Sequence, residues 1–127
     1  MGTRLAFAQD GVTKQTSAPE RALELRNTHT GESLHVVYRR GDDYDAAALA
    51  KLRNLMRDHR NGEAHDIDVA LYDQLFDLAQ AAHCEPRFEI ISGYRSPESN
   101  ASLAAAGRGV SKHSLHMEGR AIDVRLH

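Results

Sequence analysis

The hydrophobic pattern changes period along the chain, and this change limits the fold more than any other feature. From Leu23 the apolar residues alternate: Leu23 and Leu25, then Leu34, Val36 and Tyr38 after a polar turn from Asn27 to Glu32. Period two marks strands with one buried face, so a β-hairpin is expected. A second turn, at 39–43 with Gly41 in it, ends the hairpin. The spacing then becomes helical. Asp45 is placed to cap a helix carrying Leu49, Leu52, Leu55 and Met56, which should end near His59, ahead of Asn61-Gly62. Asp68 is placed to cap the next, whose stripe is Leu71, Tyr72, Leu75, Phe76, Leu78, Ala79 and Ala82, closed by Pro86. Phe88 to Ser92 reads as a short strand, and Ser96-Pro97 as the start of a helix reaching Ala106 and stopped by Gly107 and Gly109. Val110 to Glu118 reads as a polar loop. Period two returns from Arg120 to Leu126, with Ile122, Val124 and Leu126 on one face. No βαβ unit repeats. The expected class is α+β, a small antiparallel sheet with helices packed on one side.

Composition narrows the function. A length of 127 residues with 41% hydrophobic suits one modest core. No run approaches the roughly 18 apolar residues of a membrane span. Lys and Arg number 16 against 18 Asp and Glu, a net charge of −2, without the basic excess of a nucleic-acid or anionic-membrane binder. The single Cys, Cys84, excludes a disulfide framework and a multi-cysteine zinc finger. Residues 1–19 are polar and aperiodic and read as a flexible lead-in to a domain spanning 20–127. Within them Ala6-Phe7-Ala8 before Gln9 fits the small-x-small pattern of a signal-peptide cleavage site. The apolar stretch that should precede such a site is missing, so a vector or linker remnant is the plainer reading. His-Glu-x-x-His, Gly-x-Ser-x-Gly and the P-loop pattern are all absent, which argues against a helical zincin, a nucleophile-elbow hydrolase and a P-loop nucleotidase.

Two segments carry chemistry. His116 and Asp123 are candidate metal ligands seven positions apart. An extended strand would separate them by about 23 Å, and one straight helix by about 10 Å. Neither allows two bonds of about 2.0–2.2 Å to one ion. A shared metal therefore requires the chain to fold back between them, and Gly119 is the natural place. The plainer alternative has His116 bonding within its loop and Asp123 pairing with Arg120 or Arg125. The other segment is Ile91-Ser92-Gly93-Tyr94-Arg95-Ser96-Pro97, where Arg95 is presented between a strand end and a helix start. A guanidinium there can bind a carboxylate or a carbonyl oxygen gaining negative charge. On residue type alone the plainer reading is a surface Arg pairing with Glu98 or Asp123.

Together these segments resemble one family. Ser114-x-His116-x-x-Gly119-x-Ala121-x-Asp123 is similar to the signature of the zinc D-alanyl-D-alanine peptidases, a superfamily that shares its fold with the hedgehog signalling domain. Ser92-Gly93-Tyr94-Arg95-Ser96 resembles their arginine segment. The turn from Asn27 to Glu32 and the Gly107–Leu115 loop look like the bacterial murein endopeptidase K branch. The resemblance covers roughly Leu23 to Leu126. It implies that His116 and Asp123 are two of three protein ligands to a catalytic Zn²⁺, that Arg95 steadies the scissile carbonyl, and that Ser114 orients the ligand loop from behind. It implies a substrate among the peptide cross-links of peptidoglycan, the bond joining two meso-diaminopimelate residues or D-alanine and one of them. Arg108, Lys112 and His113, with Arg95 and Arg120, suit the carboxylates of such a peptide. Export to the periplasm or cell envelope is expected.

The resemblance also implies a third ligand, a His, and a general base from a segment well after the Asp strand. Four residues follow Asp123 here, so the expectation is a domain that stops short of both. His127, about 13 Å from Asp123 along an extended strand, cannot reach the same ion. A non-catalytic wall-binding or interaction module on the same fold is the alternative. A domain of another kind would point the His116 and Asp123 side chains apart. His29, His35, His59, His65 and His83 sit in the hairpin or at helix ends and read as surface or structural, and Cys84 as structural.

Overall fold

The computed structural model describes residues 18–127. The proposed cleavage-site pattern at Ala6-Phe7-Ala8 lies outside these residues. At the near end of the lead-in, the Pro19 carbonyl accepts from Gly41 N–H at 2.8 Å.

Five strands form one sheet. They are β1 (Glu20–Asn27), β2 (Ser33–Arg40), β3 (Asp43–Tyr44), β4 (Arg87–Ser92) and β5 (Asp123–Leu126), in the order β3-β2-β1-β4-β5. The expected hairpin is β1 and β2, antiparallel, with Leu25 opposite Leu34 and Leu23 opposite Val36. The sheet is not wholly antiparallel. β4 runs parallel to β1, placing Phe88 beside Leu25 and Ile90 beside Asn27. The reason is topological: β1 is central, and the chain crosses over two helices before it returns to β1's free edge. β5 then adds antiparallel to β4, with Ile90 opposite Val124 and Ser92 opposite Asp123. The register slips between Ile90 and Ser92, an irregularity of the kind that re-aims side chains at a sheet rim.

Three helices follow their expected caps. In α1 (Ala46–Leu55) the Asp45 side chain accepts from Ala48 N–H. In α2 (Val69–Ala81) Asp68 accepts from Ala70 N–H. In α3 (Pro97–Ala105) Ser96 accepts from Ser99 N–H, with Pro97 in the first turn. Each cap satisfies a donor that the first turn leaves unpaired. α1 ends earlier than its apolar spacing implies, at Leu55. The Met56 carbonyl is taken by Tyr94 N–H at 2.7 Å, and the chain turns tightly so that Asp58 C=O accepts from Gly62 N–H. The polar stretch before β5 also holds a short 3₁₀ turn at Leu115–Glu118, and β5 begins at Asp123 where Arg120 was expected.

The core lies between one face of the sheet and the helices. Leu23, Leu25, Tyr38, Phe88 and Ile90 from the strands meet Leu52, Leu55, Met56, Tyr72, Leu75 and Ala79. On the opposite face, charged side chains pair across strands, Arg87 with Glu24 at 3.2 Å and Arg125 with Glu89 at 2.6 Å. Leu78 departs from the expected stripe and is half exposed, at 50%. At about 100° per residue it points well away from Tyr72 and Ala79, which centre the buried face of α2. His35 faces solvent, as its place opposite Leu34 and Val36 implies.

Candidate metal and peptide site

The site forms where the end of β4, the 3₁₀ turn and the start of β5 meet. Gly93 and Tyr94 leave β4 against the end of α1, and a Cβ at Gly93 would press on the Met56 carbonyl. Arg95 N–H then donates to the His116 carbonyl at 3.0 Å, joining the two chemically interesting segments directly. Ser96 N–H donates to the Asp58 carboxylate at 2.9 Å, and Asn61 donates to the Ser96 hydroxyl. Burial would raise the Asp58 carboxyl, but hydrogen bonds from Ser99, Ser96 and Arg60 outweigh it and lower its pKa to about 2. A fully buried, ionised Asp thus anchors the turn that presents Arg95.

Ser114 opens the 3₁₀ turn, its hydroxyl accepting from His116 N–H at 3.2 Å. Gly119 closes it at φ 69°, in the left-handed region, and its carbonyl accepts from Asp68 N–H, the cap of α2. A Cβ at Gly119 would overlap the Asp66 carbonyl oxygen. The reversal needed between His116 and Asp123 is therefore present, made at the expected glycine. His116 Nε2 lies 3.4 Å from Asp123 Oδ2. The other ring nitrogen, Nδ1, is 3.0 Å from the Gly93 carbonyl, which can only accept. Nδ1 therefore donates in that bond, and Nε2 is the ring nitrogen that faces Asp123. The competing partners for Asp123 are engaged elsewhere, Arg120 with Glu118 at 3.2 Å and Arg125 with Glu89.

Arg95 is buried rather than a surface cation. Its Nη1 donates to Asn100 Oδ1 at 3.2 Å and to the Ser114 hydroxyl at 3.4 Å, while its buried Nε has no partner. Burial, reinforced by the charge of Arg60, pulls its pKa down, against the opposing charges of Asp123 and Asp58. Ser114 therefore touches both His116 and Arg95. Arg108, Lys112 and His113 are exposed on the loop after α3, and none of their side chains bonds to the His116–Asp123 pair. Lys112 lines a cavity of about 400 Å³ with Pro97, Asn100, Ala101, Ala104 and Ala105. The remaining histidines lie off the pair. His29 stacks on His59 at 3.8 Å, and His65 on Tyr94 at 5.0 Å.

The donor set fits a zinc ion in part. Two ligands on a tetrahedral ion with bonds of about 2.1 Å stand about 3.4 Å apart, the separation seen here. The bond from His116 to a backbone carbonyl is the support that metal-bound imidazoles use. Among the described residues no three His, Cys, Asp or Glu side chains come together as a metal site, so the pair offers two ligands and not three. His127 does not join it. Its N–H bonds to Arg87 C=O, at the far end of β4 from Ser92 and Asp123. Asp58, Asn61 and Asn100 escape a reading of residue spacing. The available hint for Asn100 is an amide side chain inside a helix, where Asn is a poor helix former unless its side chain finds other bonds.

An α+β domain that gathers a His turn, an Asp strand and a buried Arg at one corner is what the zinc D-alanyl-D-alanine peptidase superfamily leads one to expect. Comparison with known proteins identifies the branch. The family described as peptidoglycan L,D-endopeptidase MepK matches residues 15–127. The peptidoglycan L,D-endopeptidase MepK of Escherichia coli is 40% identical over 115 residues, covering 91% of this chain and 63% of that protein. The protein of the same name from Shigella flexneri gives the same figures. The probable peptidoglycan L,D-endopeptidase MepK of Haemophilus influenzae is 34% identical over 124 residues, 96% of this chain and 67% of that protein. No solved structure matches significantly. The chain belongs to the peptidoglycan L,D-endopeptidase MepK family and spans about two thirds of the length of these relatives.

Proposed function

We propose that this domain binds zinc through His116 and Asp123 and hydrolyses peptide cross-links of peptidoglycan. The observation that carries the reading is the convergence of His116 Nε2 and Asp123 Oδ2 to 3.4 Å beside a buried Arg95. Zinc at such a pair supplies water acidified enough to attack an amide near neutral pH. The chain's own residues do the rest. Gly93 C=O holds the His116 ring by Nδ1, so that Nε2 would be the nitrogen offered to the ion. Ser114 fixes His116 and Arg95 relative to each other. Arg95 lies beside the pair to steady the scissile carbonyl oxygen, where a donor already placed in the site stabilises developing charge. Arg108, Lys112 and His113 attract the peptide's carboxylates as it approaches. The reading requires a third zinc ligand and a general base from outside the described residues.

The relatives' name favours one of the two candidate bonds. A bond whose acyl residue is D-alanine starts from a D centre. A meso-diaminopimelate residue has one L and one D centre, so an L,D cleavage fits the bond between two of them. The substrate is outside the cytoplasm, so the reading places the protein in the cell envelope, which fractionation checks.

The test is metal analysis of the purified protein with digestion of purified muropeptides cross-linked through either bond. Zinc retention and cleavage, both lost in His116→Ala and in Asp123→Ala, are expected. Full activity in His116→Ala overturns the reading. Retention on intact peptidoglycan with neither zinc nor cleavage would favour a wall-binding module instead.

A further inference from the structure

We propose that Asn100 is a positioning residue that sets the orientation of the Arg95 guanidinium toward the His116–Asp123 pair. The proposal rests on the reading of Arg95 given above. Asn100 lies within α3 and is 2% exposed. Its two amide ends do different work. Oδ1 accepts from Arg95 Nη1 at 3.2 Å. Nδ2 donates to the Ser111 carbonyl at 2.7 Å and reaches the Lys112 carbonyl at 3.5 Å. Backbone carbonyls only accept and a guanidinium only donates, so this is the one way round in which the amide satisfies both neighbours.

The arrangement leaves the guanidinium little choice. Its other side-chain bond, to the Ser114 hydroxyl, is longer at 3.4 Å. A buried donor without a partner is costly, so Nη1 stays with Asn100. That bond restrains rotation of the guanidinium plane and leaves Nε a buried donor without a protein partner. The same amide holds the backbone of the loop that leads into Ser114 and His116. Asn100 thus joins the two halves of the site through one side chain, and it never touches the His116–Asp123 pair.

Two substitutions separate its roles. Asn100→Asp keeps an acceptor for Arg95 and loses the donor to the loop. Asn100→Leu, of similar volume, loses both. In muropeptide hydrolysis by the full-length protein, Asn100→Leu should lower kcat about 10- to 100-fold with KM changed less than about threefold, the sign of an interaction felt in the transition state. Added to Arg95→Ala it should cost less than about a further threefold, because the two residues act as one unit. Asn100→Asp should lower the thermal midpoint and lose clearly less kcat than Asn100→Leu. A readout free of activity is the NMR spectrum of the Arg95 guanidinium. Its Nη groups should give separate signals in the parent and in Asn100→Asp, and averaged ones in Asn100→Leu.

A kcat loss in Asn100→Asp as large as in Asn100→Leu overturns the proposal, as do separate Nη signals that persist in Asn100→Leu. So do losses in Asn100→Leu and Arg95→Ala that multiply independently. Full activity in Arg95→Ala removes the reading of Arg95 and this proposal with it. An inactive Arg95→Ala beside a fully active Asn100→Leu overturns this proposal alone.

Discussion

A side chain at position 119 would have to adopt φ 69° and share space with the Asp66 carbonyl. At Gly109, φ is 74° but nothing lies within 4 Å of where a Cβ would stand. The two glycines separate backbone strain from close approach. Gly109→Ala should cost about 1 kcal/mol, the strain alone, and Gly119→Ala about 2–4 kcal/mol, with a loss of zinc affinity. Urea unfolding of both variants checks this, and equal costs would refute the close approach. Gly119 was legible in the sequence because the two candidate ligands required a reversal and it was the residue able to make one. Asp58 and Asn100 were not. Much of their importance comes from partners far away in the chain, Ser96 for Asp58 and the 111–112 backbone for Asn100, which spacing along the sequence does not reveal.

At the scale of elements, local signals were read well. The hairpin, the caps at Asp45, Asp68 and Ser96, and the strand ending in Ser92 all depend on side chains within a few residues of the backbone they serve. What tertiary contacts decide was not visible. The end of α1 is set by Tyr94 claiming the Met56 carbonyl, and the parallel pairing of β1 with β4 joins segments some sixty residues apart. The loop after α1 has a measurable function of its own. Asp58 holds the N-terminus of α3, and its lowered pKa means that the folded state favours the ionised form. Its stabilisation is complete above the ordinary Asp pKa of about 4 and is lost as pH falls through the folded value of about 2. Asp58→Asn should therefore cost about 2 kcal/mol near pH 7. The gap between parent and variant should shrink between about pH 4 and pH 2, as chemical denaturation at several pH values would show. A constant gap would mean that the charge itself contributes nothing.

For the whole molecule, the proposed zinc site would link metal binding to folding. The pair exists only when β5 is docked on β4 and the 3₁₀ turn is docked on α2, so an ion bound there stabilises the folded chain. Zinc at 100 times its Kd adds about 2.7 kcal/mol, roughly 10 °C in thermal midpoint for a domain of this size. Chelation should reverse the shift, and neither His116→Ala nor Asp123→Ala should show it. The central position of β1 has a further consequence, in time instead of space. The β1–β2 hairpin closes a turn of a few residues, whereas Arg87 bonds to Glu24 across 63 positions, and β5 can dock only after β4 is in place. Distant pairings form late because the chain must first surrender the freedom of a long loop. In a refolding experiment that labels backbone amides, protection should reach the hairpin first and Arg95 and Val124 last. Protection at Val124 that matched the hairpin would refute this order. The corner proposed to hold the ion is then the last part of the chain to find its place, and a molecule able to bind it there would already have finished folding.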